Sequence, residues 1–243
     1  TNKIKAYLNN IPLTNGVGEL TMEDYGLDIL NQIEVVKGPN SSIYGSGLGG
    51  NILLKTEKLT EKFIKINSSY KSFNTFQNRV SLSKRINKID LFVNLEKLKS
   101  DGYRENNTYE NTRLFGSLDY HINDYININI IQFITDVEAL IPSSLSLDDY
   151  KSNPTNAAFS WKNIKGGENY SRSLTGVSIN TNKLNYSSNT SLFYKFFENS
   201  ELRPFNYLTE DSKSFGARHS GKFVIKKSSI IYGFEINNED YHF

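Results

Sequence analysis

The chain has 243 residues, enough for one large domain or two small ones. Mean hydropathy is −0.49 at 37% hydrophobic content, so no run of roughly 18 apolar residues exists to cross a membrane as a helix. The absence of cysteine excludes disulfides, thiolate metal sites and cysteine nucleophiles, and a net charge of +2 is too weak to argue for nucleic acid or an acidic partner. The first residue is Thr1, with no initiator Met and no signal peptide, so the start is expected to be cut or processed.

The first informative stretch is Ile43–Thr56, IYGSGLGGNILLKT. Gly45, Gly47 and Gly50 fit G-x-G-x-x-G, the spacing of a phosphate-cradling loop. A dinucleotide fold needs a helix directly after these glycines, because its N-terminus holds the pyrophosphate. Asn51–Thr56 is instead a short apolar run ending in charge, which reads as a buried strand. A kinase-type loop between strands is disfavoured by the lack of H-R-D-x-x-x-x-N and D-F-G downstream. Close backbone packing is the competing reading of the glycines.

From about Glu61 onward, stretches of about ten residues alternate apolar and polar. Val80 and Leu82 alternate with Arg79, Ser81 and Ser83. Leu91, Val93 and Leu95 share one side, and Asp90, Asn94 and Glu96 the other. Ile126, Ile128 and Ile130 oppose Asn127 and Asn129, while Leu192, Tyr194 and Phe196, and later Tyr232, Phe234 and Ile236, each keep one parity. This period predicts nine strands, at about 62–73, 76–86, 88–99, 110–121, 124–136, 170–181, 183–199, 213–226 and 229–241. Tight turns are expected at Asn87-Lys88, Asn123-Asp124, Asn182-Lys183 and Lys227-Ser228. Long polar loops are expected over 100–109, 137–169 and 200–212. Short connections at one end and long ones at the other are how outer-membrane barrels are built, and the polar parity suits a wet interior. Tyr70, Phe73, Tyr120, Tyr125 and Tyr241, near strand ends, are candidates for an aromatic girdle.

On these residues the chain resembles a family. The run IEVVKGPNSSIYGSGLGGNILLKT, Ile33–Thr56, is similar to the end of the plug domain of TonB-dependent outer-membrane receptors. Its motif positions here are Glu34, Lys37, Gly38, Pro39, Tyr44, Gly45, Gly49 and Gly50, with structural roles. Upstream, Ile4–Gly16 resembles a plug strand and turn, and Ser100–Asn107 resembles an extracellular loop. The resemblance implies a mainly β chain, with the C-terminal part of a plug over residues 1–58 and N-terminal barrel strands over 59–243. The family's barrel has about 22 strands, so this chain is expected to be a fragment; an isolated open edge in lipid would leave backbone groups unpaired.

The resemblance also implies the function. Such receptors sit in the cell outer membrane and bind a scarce solute, commonly a ferric siderophore or other iron chelate. They import it when the TonB energy-transducing complex rearranges the plug, and the plug segment that contacts that complex is not in this sequence. Cobalamin or an oligosaccharide are alternative solutes. Oligosaccharide importers usually show Tyr-Gly-Ser-Arg-Gly-Ala-Asn-Gly where this chain has Tyr44-Gly45-Ser46-Gly47-Leu48-Gly49-Gly50, which lowers that option. No catalytic residue, cofactor or metal site is expected: His121, His219 and His242 are scattered, and no G-x-S-x-G elbow occurs. Solute contacts in the family come from plug apices and inward loop residues. The matching positions are Asn15 in the turn Thr14–Gly18, then Asp24, Tyr25 and Asp28, the loop residues Tyr103, Arg104 and Trp161, and Arg203. Each also has a bland reading as turn, cap or girdle; Arg104, for example, is placed to pair with Glu105 or Glu110.

Overall fold

The computed structural model describes residues 4–15, 20–38, 44, 49–56 and 61–243. Gly16, Val17, Gly18, Pro39, Gly45 and Gly47 lie outside them. Two sheets account for most of the rest. The smaller has the order β2-β1-β4-β3, from β1 (Ile4–Leu8), β2 (Ile11–Pro12), β3 (Leu30–Lys37) and β4 (Gly50–Thr56). β1 runs parallel to β4, Tyr7 opposite Leu53, while β3 is antiparallel to it. Gly50 opens β4 with φ 128°, where a Cβ would stand 2.4 Å from the Val36 carbonyl oxygen. The glycine therefore admits backbone pairing, and the segment after it is a strand rather than the helix a phosphate site requires.

The larger sheet has nine antiparallel strands in sequence order: β5 (Phe63–Lys71), β6 (Thr75–Ile86), β7 (Ile89–Ser100), β8 (Tyr109–Asn123), β9 (Ile126–Leu140), β10 (Gly167–Lys183), β11 (Tyr186–Leu202), β12 (Tyr207–Ile225) and β13 (Ser228–His242). All nine expected strands form. Residues 87–88, 124–125, 184–185 and 226–227 make two-residue turns at one end, within two positions of the expected ones. The opposite end carries connections 101–108 and 141–166. The long loop expected over 200–212 is not formed: β11 continues to Leu202 and β12 begins at Tyr207, leaving only 203–206. The polarity there has another cause. On these strand ends polar residues occupy both faces, Glu198, Asp211 and Asp240 outward and the buried Asn199 and Ser212 inward, so the alternation disappears.

The alternation sets the faces as expected. Ile130 is 41% exposed, whereas Asn129 is 8% exposed and donates to Ser117 and Asp119. Asn127 likewise donates to Asp119. The inward parity also carries Phe92, Phe115, Ile131, Phe133, Leu174 and Phe193, which pack on Leu8, Ile11, Leu13, Tyr25 and Ile29 of the smaller unit. The smaller sheet thus sits on the inner face of the larger one. Among the girdle candidates, Tyr70, Phe73, Tyr120 and Tyr125 are 41–63% exposed near strand ends. Tyr241 is not one of them: opposite the buried Ser212, it faces inward and donates to Glu210 at 2.7 Å.

Candidate functional site

The inner face meets the smaller sheet through charges that stand on the polar parity in mid-strand. Asp24, in the 3-10 turn Met22–Tyr25, is 1% exposed. Its carboxylate lies 3.1 Å from Arg172 Nε and accepts from the Tyr170 hydroxyl at 2.8 Å. The Arg172 guanidinium also stacks 4.7 Å above the Phe197 ring. Tyr25 packs on Phe133 with centroids 4.9 Å apart, and its burial pushes the phenol pKa up. Asp28 pairs with Arg79 at 3.0 Å. Arg79 in turn bonds Glu96, which is 1% exposed and also holds Arg113 and, at 2.9 Å, Gln77. A charge ladder therefore runs from the inner unit across β6, β7 and β8. Such buried groups are tolerable because each is paired. Lys195 Nζ donates to the Thr14 carbonyl at 3.1 Å, and Asn15 lines a small cleft with Tyr25, Arg172 and Lys195.

Toward the two-residue turns charge and amide contacts mix, and Lys5 of β1 pairs with Glu235 of β13 at 3.7 Å. Arg218 stacks 4.5 Å above the Tyr7 ring, pairs with Glu235 and donates to Asn10 Oδ1. Burial, reinforced by Glu235, raises the Tyr7 phenol pKa. Asn10 donates to Asn189 at 2.8 Å and to Ser220 at 3.0 Å. Beside these bonds lies a polar cavity of about 490 Å³ lined by Asn9, Asn31, Gln32, Asn129 and Asn180, among others. Amides and hydroxyls at such a seam exchange partners with water at little net cost.

The sequence-selected residues fall into three places. Asn15, Asp24, Tyr25 and Asp28 gather at the seam, with the two carboxylates in ion pairs. Tyr103, Arg104 and Trp161 belong to the long-loop end. Tyr103 is 50% exposed and stands edge-on to Phe73. Arg104 does not pair with Glu105 or Glu110. Its guanidinium donates to the carbonyls of Asn156 at 2.9 Å and Ser143 at 2.7 Å, while Glu105 takes Lys162 and Glu110 takes Lys97. The Lys162 hydrogen bond holds the Glu105 carboxyl below its ordinary range. Trp161 lies in α2 (Phe159–Ile164), which follows α1 (Leu147–Ser152) in the long connection. Neither short helix is among the expected elements, although Ser146-x-x-Asp149 is a readable cap, and Ser146 does accept from the Asp149 N–H. Arg203 stands apart, bonded to Glu201. Sequence reasoning missed Arg79, Glu96, Arg113, Tyr170, Arg172 and Arg218; their signal is charge or phenol on the inward parity inside a strand. Arg104→Ala is expected to cost about 2 kcal/mol of local loop stability, read as faster protease cleavage within 141–158 while the strands remain protected.

No protein-family model matches the chain. Among solved structures it is similar to the unliganded ferric citrate transporter FecA, with TM-score 0.80 and 17% identity over 99% of this chain and 39% of that one. It is similar to the ferric yersiniabactin uptake receptor FyuA from Yersinia pestis, with TM-score 0.81 and 13% identity over 98% and 40%. It is also similar to the copper transporter OprC, with TM-score 0.77 and 12% identity over 98% and 39%. The chain spans about two fifths of the length of these structures. At such identities the likeness establishes the fold alone: a small four-stranded unit on the inner face of an antiparallel sheet that forms part of a barrel wall.

Proposed function

We propose that residues 1–58 are the end of a plug and residues 59–243 the first wall strands of an outer-membrane receptor. The receptor binds a scarce solute outside and imports it with energy delivered through TonB. The solute we favour is a ferric siderophore or another iron chelate, and no chemistry is catalysed. The observation that carries this reading is the seam itself. A separately paired four-stranded sheet is held against the wall by buried ion pairs at one end, and at the other by the partly exposed Lys5–Glu235 pair together with exchangeable amide bonds beside a polar cavity. That construction suits a plug that stays seated at rest and rearranges when worked upon. The iron-chelate names of FecA and FyuA support the solute, while that of OprC keeps another metal in view. The strand after Gly50 weighs against nucleotide binding.

Uptake of radiolabelled iron as a set of chelates, in cells carrying or lacking the receptor gene, tests the proposal. One chelate is expected to enter only with the receptor present, and its entry to stop when the proton gradient is collapsed. Receptor-independent uptake of every chelate would remove iron from the reading.

A further inference from the structure

Near the two-residue turns, the outward face of β11–β13 carries a flat aromatic shelf. Tyr186 and Phe223 are register partners with ring centroids 4.5 Å apart. Phe223 and Tyr232 stack at 5.9 Å with an interplanar angle of 15°, and the Tyr186 and Tyr232 hydroxyls lie 3.3 Å apart. The shelf requires Gly221: a Cβ there would stand 2.4 Å from the Tyr232 ring. Beside it stand Lys183 at the end of β10, Leu184 in the following turn, which is 96% exposed, and Lys226 and Lys227 in the β12–β13 turn. Lys222 has the opposite parity and lines the interior instead. No carboxylate occurs between Glu168 and Glu198, or between Asp211 and Glu235; Asp124 in the adjoining turn lies beside Lys183, which leaves Lys226 and Lys227 as the lysines with no acidic neighbour in sequence on these strands. The far ends of the same strands are acidic on the outward face, at Glu198, Asp211 and Asp240.

We propose that this shelf and its lysines form a binding surface for an anionic glycerophospholipid of the phosphatidylglycerol class, in the leaflet that meets the short turns. The inference rests on the reading that these strands lie in the outer membrane. Each part of the patch matches one part of that lipid. Aromatic rings and an apolar turn tip belong at the level where acyl chain meets headgroup, with the phenol hydroxyls turned toward the ester region. Lysines one turn further out reach the phosphate, and their long stems lie along apolar surface. Neighbouring hairpins stand about 10 Å apart, so the lysines at the β10–β11 and β12–β13 turns can serve a single headgroup or two adjacent ones. Zwitterionic lipid satisfies the shelf but not the uncompensated positive charge.

The test uses the full-length receptor, purified in detergent and equilibrated with equal amounts of phosphatidylglycerol and phosphatidylethanolamine, with retained lipid counted by native mass spectrometry. Wild type is expected to retain phosphatidylglycerol preferentially, by about fivefold for each lysine that reaches the headgroup. The variant Lys183→Gln/Lys226→Gln/Lys227→Gln, which leaves the shelf and the strand ladder intact, is expected to lose that preference while keeping heat-modified gel mobility. Tyr232→Ala is expected to lower retention of both lipids. Equal retention by wild type, or an undiminished preference in the triple variant, would overturn the proposal alone. A receptor that inserts into no lipid vesicle would overturn it together with the membrane reading.

Discussion

Arg172→Ala in the full-length receptor is expected to unseat the plug at its inner corner. Asp24 is 1% exposed and Arg172 supplies its charge partner. Removing only the arginine takes away the guanidinium that balances a carboxylate in a place water barely reaches, while the Tyr170 hydroxyl still donates to it. Breaking a buried pair from one side costs about 3–5 kcal/mol, far more than the pair itself contributes. The cost falls on docking rather than on the ladder, because β10 keeps its backbone pairing with β9 and β11 on both sides. Planar-bilayer recordings are therefore expected to show openings that wild type lacks, and cells to admit large antibiotics, while gel mobility still reports a folded barrel. The double variant Asp24→Asn/Arg172→Gln, which removes both charges, is expected to recover much of the seal. A closed pore in Arg172→Ala would mean that this pair does not hold the plug.

Glu96→Ala is expected to have an effect of similar size but on a different property. Glu96 receives Arg79 from β6 and Arg113 from β8, so its loss leaves two guanidiniums on either side of β7 without the buried carboxylate that joins them. About 3–5 kcal/mol is again at stake, now within the wall as well as at the seam. A lowered melting temperature by heat-modified mobility is expected, with partial rescue by Glu96→Gln, which keeps hydrogen-bond acceptors but not the charge. An unchanged melting temperature would show that the ladder is solvated in the working receptor.

The wall was legible because its rule is local. Alternation such as Ile126–Asn127–Ile128–Asn129 needs no knowledge of partners, and one buried face enforces it. The strand ends were not legible for the same reason: around Glu198–Asp211 both faces are polar, and nothing in the pattern separates a projecting ladder from a loop. The glycine run was ambiguous in isolation, and its neighbours decided it, since Gly50 opens a strand. The seam was least legible. Asp24 and Asp28 were noticed for their position in the plug, but their partners Arg172 and Arg79 lie far along the chain, and only folding sets them within bonding distance. Arg104 shows the converse, a residue whose neighbours in sequence suggested Glu105 or Glu110 and whose bonds go to carbonyls of the next loop.

The central claim of the proposed function is that the inner four-stranded unit must move for a solute to be imported. These 243 residues hold no cysteine, so a single introduced pair reports cleanly once every cysteine elsewhere in the full-length protein is replaced by serine. Asn10 and Asn189 bridge the seam with a 2.8 Å hydrogen bond. In the full-length protein, Asn10→Cys/Asn189→Cys joined by a short bis-methanethiosulfonate reagent, which spans the gap two asparagine side chains fill, is expected to bind the chelate identified by the uptake assay at wild-type affinity and to stop importing it, with uptake restored by reductant. A fully cross-linked receptor that imports at the wild-type rate would contradict the account.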